Sequence, residues 1–109
     1  MDISKETQES ISKLQLIEQN VQTLLMQKQQ FQGQLFELES ALKELEKTDE
    51  AYKIVGNVMI KTDKTALKAE LSSKKEIIDL RLKNIDKQEK QMKDKAEALQ
   101  KEVMGKLKK

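Results

Sequence analysis

Two long stretches of this chain return an apolar residue to the same helical face turn after turn, and a short stretch of different period separates them. Taking Leu14 as position a, the a series is Leu14, Val21, Lys28, Leu35 and Leu42. The d series is Ile17, Leu24, Phe31, Leu38 and Leu45. Only Lys28 among them is polar. This spacing winds an apolar seam around a helix, and the seam needs a partner helix to cover it. The flanks are mostly Gln, Glu and Lys, as a solvated face requires. At 1.5 Å per residue, a helix from Lys5 to Lys47 is on the order of 65 Å long.

The second stretch carries Leu71, Ile78, Ile85, Met92 and Leu99, with a companion series Lys75, Leu82, Glu89, Ala96 and Val103. Lys75 and Glu89 interrupt it, so this seam is weaker. Around it lie Lys87, Lys90, Lys93 and Glu97, which read as a solvated face with occasional i,i+4 pairs. In the first seam, Lys28 has two readings. It sets register or oligomer state, at a cost in stability, or its stem packs while its ammonium reaches water. Gly33 falls at an outward position and costs about 1 kcal/mol relative to Ala.

Between the seams, Tyr52-Lys53-Ile54-Val55-Gly56-Asn57-Val58-Met59-Ile60-Lys61 places β-branched and apolar residues on both sides of Gly56-Asn57. That pattern predicts a hairpin with a two-residue turn. Glycine accepts the positive φ that a type II′ turn needs at its first central position. Val55 then faces Val58, Ile54 faces Met59, Lys53 faces Ile60 and Tyr52 faces Lys61. One face carries Val55, Val58 and Ile60, and the other Tyr52, Ile54 and Met59. A two-stranded hairpin is marginal alone in water, and its edges are open to further pairing. It therefore needs strands from other subunits. Thr62 or Asp63 is placed to cap the helix that follows.

Composition narrows the function. The 109 residues hold no Pro, Cys, Trp or His, and aromatic residues make up 3%. Without Cys and His there are no disulfides, no thiolate or imidazole metal ligands and no histidine acid–base chemistry. The three glycines, Gly33, Gly56 and Gly105, are scattered and form no phosphate loop. A helix pair also lacks a concave, water-excluding pocket. We expect no enzyme, no catalytic residue, no cofactor and no metal. The net charge of +2, from 21 basic and 19 acidic residues, argues against a nucleic-acid binder. The lysines Lys101, Lys106, Lys108 and Lys109 read as solvation rather than a nucleic-acid or membrane site. No apolar run approaches the ~20 residues of a membrane span, and Met1-Asp2-Ile3-Ser4-Lys5 is too polar for a signal peptide. The chain is expected to be soluble and cytoplasmic.

A helix, a tight hairpin and an equal returning helix predict a mainly α, antiparallel two-helix coiled coil with the hairpin at one end. We expect a single domain over 1–109: helix over about 5–47, hairpin over about 51–62 and helix over about 63–107. Both termini fall at the far tip, where Ile11 comes near Met104. Ile3, Ile11, Val103, Met104 and Leu107 are the apolar residues where the seam runs out, and Gly105 favours fraying there. Spacing allows two readings of them: adaptable contacts for varied apolar segments, or ordinary capping of the coiled coil.

The Tyr52–Lys61 segment resembles the Y-K-x-x-G-N-hydrophobic-hydrophobic-I hairpin signature of prefoldin subunits. Leu67, Glu70-Leu71 and then Ile85-Asp86-Lys87-Gln88-Glu89-Lys90 resemble the same family's second helix. A single hairpin points to the β class, since α-class subunits carry two. The resemblance implies a hexamer, two α and four β subunits in archaea, whose hairpins build a β-barrel body. It implies an ATP-independent chaperone whose coiled-coil tips hold non-native proteins and pass them to a group II chaperonin. Carried onto this chain, the assembly residues are Tyr52, Ile54, Val55, Gly56, Asn57, Val58, Met59 and Ile60. The client-contact residues are Ile3, Ile11, Leu14, Val103, Met104 and Leu107. The first turns lack the proline often seen in the family. The competing reading is a structural coiled-coil scaffold without chaperone activity. It accounts for the seams but poorly for a turn region that is apolar on both faces.

Overall fold

Helix α1 spans Lys5–Lys47, strand β1 Ala51–Val55, strand β2 Val58–Thr62 and helix α2 Lys64–Leu107. This computed structural model describes residues 4–107. Two long helices flanking one antiparallel two-stranded hairpin is the fold class that the two seams and the Gly56-Asn57 turn predict. Every position of both heptad series is buried or half-buried, while the residues between them are mostly exposed. Among the described residues the seam supplies all of the buried apolar core except Ala51 of β1. The helices form because apolar residues repeat at the helical period on backbones rich in Gln, Glu, Lys and Leu, all good helix formers.

The chain divides into two units. One is residues 4–29 with 83–107, and the other is Gln30–Leu82. In the hairpin unit, Leu45, Ala51 and Ile78 are buried. Full burial of an aliphatic side chain such as Leu or Ile stabilises by about 1.5–3 kcal/mol. Arg81 lies over the Phe31 ring, 5.6 Å from its centroid, so a seam aromatic is covered by a guanidinium on the other helix. Lys75, one of the interruptions in the second seam, sends its ammonium to Glu39, 3.8 Å away. Together these contacts show the helices running antiparallel: the later position on α1 meets the earlier one on α2.

After Lys47 the chain turns through Thr48. Its hydroxyl donates to the Glu50 carbonyl at 3.2 Å and accepts from the Glu50 amide at 3.3 Å. That local bonding occupies backbone groups that would otherwise prolong the helix. The strands pair in the register expected from the turn: Tyr52 with Lys61, Lys53 with Ile60, Ile54 with Met59 and Val55 with Val58. Gly56 has φ +61°, and no non-glycine residue has positive φ among the described residues. Positive φ at the first central position and not at Asn57 is the sign pattern of a II′ turn rather than I′. Of the two candidate caps for α2, the fold uses Asp63. Its carboxylate accepts the Ala66 amide at 3.0 Å, and its carbonyl accepts the Leu67 amide at 3.0 Å.

In the terminal unit, Leu24, Ile85 and Val103 are buried. Extending the first seam backward by one heptad lands on Thr7 and Ser10, and both are buried. The α1 N-terminus is capped by Ser4, whose hydroxyl accepts the Thr7 amide at 3.1 Å and lies 2.8 Å from the Thr7 hydroxyl. Burial of Thr7 is tolerable because its hydroxyl has this partner. As the expected bound of about 107 has it, α2 continues through Gly105 to Leu107. A glycine lowers helix propensity by only about 1 kcal/mol, less than the buried Val103 beside it contributes.

Candidate functional site

Two groups of residues project apolar surface, one in each unit. The first is the hairpin. Tyr52, Ile54, Val55, Val58, Met59 and Ile60 are all about half exposed or more, reaching 69% at Ile54 and 65% at Met59. The alternation of a strand sends neighbours to opposite faces, so both faces of the sheet are uncovered. Large apolar side chains crowded on ten strand residues form a patch, unlike the scattered exposed leucines of an ordinary surface. The sheet has two strands, so each keeps an unpaired outer edge.

The base of the hairpin is fixed to α2. The Lys53 ammonium donates to both Glu70 oxygens, at 2.9 and 3.1 Å. This hydrogen bond holds the Glu70 carboxyl below its usual range, with Lys74 adding to the pull. Ala51, on the same face as Lys53, is buried. Tyr52 donates its hydroxyl to Glu50 at 3.2 Å. The strands are therefore anchored near their helix-proximal ends, and the Val55–Val58 end projects with its side chains uncovered.

The second group lies in the terminal unit. Met104 is 57% and Leu107 48% exposed. Ile11 and Leu14 are half-buried along the seam, and Val103, at 8% exposure, faces inward. Ile3 lies outside the described residues. Lys106 bridges Glu102 at 3.2 Å on its own helix and Glu6 at 3.4 Å on α1. The Glu102 hydrogen bond and, after it, Glu6 raise the Lys106 pKa. Sequence reasoning missed the polar closure of the seam by Thr7 and Ser10. The heptad count, continued past Leu14 and Ile17, contains that signal.

The terminal unit also explains the polar interruptions. Lys28 Nζ lies 2.9 Å from Asp86 and 3.9 Å from Glu89, and Lys93 pairs with Glu89 at 2.7 Å. The intruder in the first seam thus answers an intruder in the second. The Asp86 hydrogen bond raises the Lys28 pKa. Glu89 Oε2 is buried and accepts no hydrogen bond; the nearby Lys28 charge offsets its burial. Both readings of Lys28 have a physical basis, because its stem is partly buried while its ammonium finds carboxylates.

Among the described residues, no group of acidic, histidine or cysteine side chains could hold a metal ion. No described helix is long and apolar enough to cross a membrane.

A long helix, a hairpin apolar on both faces and a second long helix are the parts on which known proteins can be compared. The family model described as prefoldin subunit matches residues 8–109. The chain belongs to the prefoldin family. Prefoldin subunit beta of Methanothrix thermoacetophila is 35% identical over 102 residues, covering 91% of this chain and 85% of the relative. That of Sulfurisphaera tokodaii is 38% identical over 104 residues, covering 93% and 83%. The crystal structure of the prefoldin beta subunit from Thermococcus strain KS-1 superposes with a TM-score of 0.88 at 33% identity, covering 95% of this chain and 94% of that one. These matches place the chain in the β class of prefoldin subunits. Prefoldin subunits are non-enzymatic chaperone components that work in a hetero-oligomeric complex.

Proposed function

We propose that this chain is a holdase subunit, acting without ATP, that joins α-class and other β subunits through its hairpin and holds non-native proteins on the ends of its helices. The observation that carries this reading is the hairpin: six large apolar residues stand uncovered on both faces of a two-stranded sheet. Such a sheet gains stability only when further strands and side chains cover it. The assembly takes two α and four β subunits, the composition that the family resemblance implies for an archaeal complex. Tyr52, Ile54, Val55, Val58, Met59 and Ile60 supply its contacts, and Gly56-Asn57 sets their register.

Clients meet the exposed Met104 and Leu107, with Ile11, Leu14 and Ile3 as neighbours along the chain ends. Met is suited to this, because its flexible thioether accommodates varied apolar partners. The held protein is then released to a group II chaperonin in the cytoplasm. Client capture needs only apolar contact, so no nucleotide and no cofactor enters the scheme.

The test is coexpression with an α-class subunit, followed by mass measurement of the complex and by aggregation assays. A hetero-hexamer is expected, and Ile54→Asp, Val58→Asp and Ile60→Asp together should prevent it. Removing residues 1–11 and 103–109 should leave the hexamer intact and weaken suppression of client aggregation. A homodimer indifferent to the α subunit would overturn the assembly reading and favour a coiled-coil scaffold. Undiminished suppression by the truncated complex would overturn the assignment of the helix ends.

A further inference from the structure

One feature of the terminal unit lies outside both groups above. Leu16 is 57% exposed on α1, at a position the heptad assigns to the solvated face. Beside it, Ile17, Ala98 and Leu99 form the floor of a groove between α1 and α2, and Lys13 and Lys95 form its rim. The groove has a volume of about 430 Å³, in the range of sites that accept small ligands or a few side chains. Every other lining residue is aliphatic. Both lysines are exposed, and among the described residues neither has a carboxylate within ion-pair distance. Elsewhere on this unit Lys28 is answered by Asp86, Lys93 by Glu89, Lys101 by Glu97 and Lys106 by Glu6 and Glu102. Lys5, Lys83, Lys87 and Lys90 show no ion pair among the described residues, and Lys13 and Lys95 are set apart from these by bordering an aliphatic groove. A groove along the same seam that includes Ile17 and Val21 is bordered by both Glu18 and Lys93, so its charges are mixed.

We propose that this groove is a second client subsite, selective for non-native segments that carry large aliphatic side chains next to Asp or Glu. The proposal rests on the holdase reading and adds a sequence preference to it. Aliphatic side chains enter between Leu16 and Leu99, and the two free ammonium groups pair with flanking carboxylates. The apolar floor supplies affinity and the lysine rim supplies selection, because exposed charges act mainly through steering and rejection of like charge. Solvent-exposed pairs are screened at physiological salt, so the preference should shrink as salt rises.

The experiment uses the full chain assembled with an α-class subunit and two fluorescent peptides, one of Leu and Glu and its twin of Leu and Lys. Wild type should bind the Leu–Glu peptide at least about tenfold more tightly at low salt. Leu16→Glu should weaken its binding about tenfold, by removing apolar surface and adding a repelling charge. Lys13→Glu with Lys95→Glu should reverse the preference between the peptides, and Lys13→Gln with Lys95→Gln should abolish it without reversal. All these positions are exposed, so thermal melts of the variants should match wild type. Equal binding of both peptides by wild type, or a preference that survives charge reversal, would overturn the groove. In that event, loss of aggregation suppression on replacing Met104 and Leu107 with Asp would leave the holdase reading standing. A complex that reads peptide charge as expected but suppresses no aggregation would keep the groove as a binding site and sink the holdase reading.

Discussion

The Lys28 ammonium lies 2.9 Å from the Asp86 carboxylate, joining the one polar residue of the first seam between Leu14 and Leu45 to the helix that covers it. Glu89, an interruption of the second seam, stands 3.9 Å from the same ammonium. An antiparallel pair of heptad seams can slip by a whole heptad at little cost, since Leu then meets Leu or Ile. A lysine that must find its carboxylates cannot slip with it. Buried or half-buried polar pairs are best attested in this register-setting use.

Replacing Lys28 with Met keeps the stem and removes the charge. The buried Glu89 Oε2 then loses the nearby Lys28 charge, with Lys93 still paired to Oε1, and the melting temperature should fall. Replacing Lys28 with Met and Glu89 with Leu together should restore or exceed wild-type stability, because apolar residues often outperform a buried ion pair. Circular dichroism melts of the two variants check the order, and a double variant less stable than the single one would contradict it.

The turn at Gly56 depends on a left-handed backbone, at φ +61°. Gly56→Ala should cost about 1–2 kcal/mol, and Gly56→Asn less, since Asn tolerates this region better. Denaturant unfolding of the assembled complex reads the difference. Equal stability of Gly56→Ala and wild type would show that the turn relaxes on assembly.

The seam residues should dominate stability over equally apolar surface residues. Ile85 is buried while Phe36 is exposed. Ile85→Ala should destabilise by about 2–5 kcal/mol, and Phe36→Ala should stay within about 0.5 kcal/mol of wild type. Urea unfolding of both variants separates them.

Acid should loosen the hairpin from α2 through Glu70. The Lys53 hydrogen bond holds its pKa below the ordinary 4.5. A carboxyl depressed in the fold adds stability above its unfolded pKa and loses it as pH falls through the folded value. Melts taken from about pH 7 down to about pH 3 should show a smaller acid-induced loss in Glu70→Gln than in wild type. Parallel curves would mean that other carboxylates carry the acid sensitivity.

Much of this protein was legible before any fold was seen. The periods alone separate helix from strand, because side chains repeat near every 3.6 residues on a helix and every two on a strand. Gly56-Asn57 specifies the turn, and the turn specifies which residues of β1 and β2 oppose each other. Lys28, Lys75 and Glu89 are visible as interruptions, but their partners are not. Asp86 and Glu39 sit among many similar flanking charges, and only the meeting of two helices selects them.

The chain by itself determined the seams, the hairpin, its register and its bare apolar faces, since these follow from local periodicity and one turn. The tertiary structure decided which side chains the seam encloses and which it leaves out. It turned Val103 inward and left Met104 and Leu107 exposed, closed the seam with Thr7 and Ser10, and raised Leu16 beside two unanswered lysines. Those outcomes depend on the angular position of each residue relative to a second helix. A helix carries its own period in its sequence, but the surface it loses to a neighbour is settled only when the two pack.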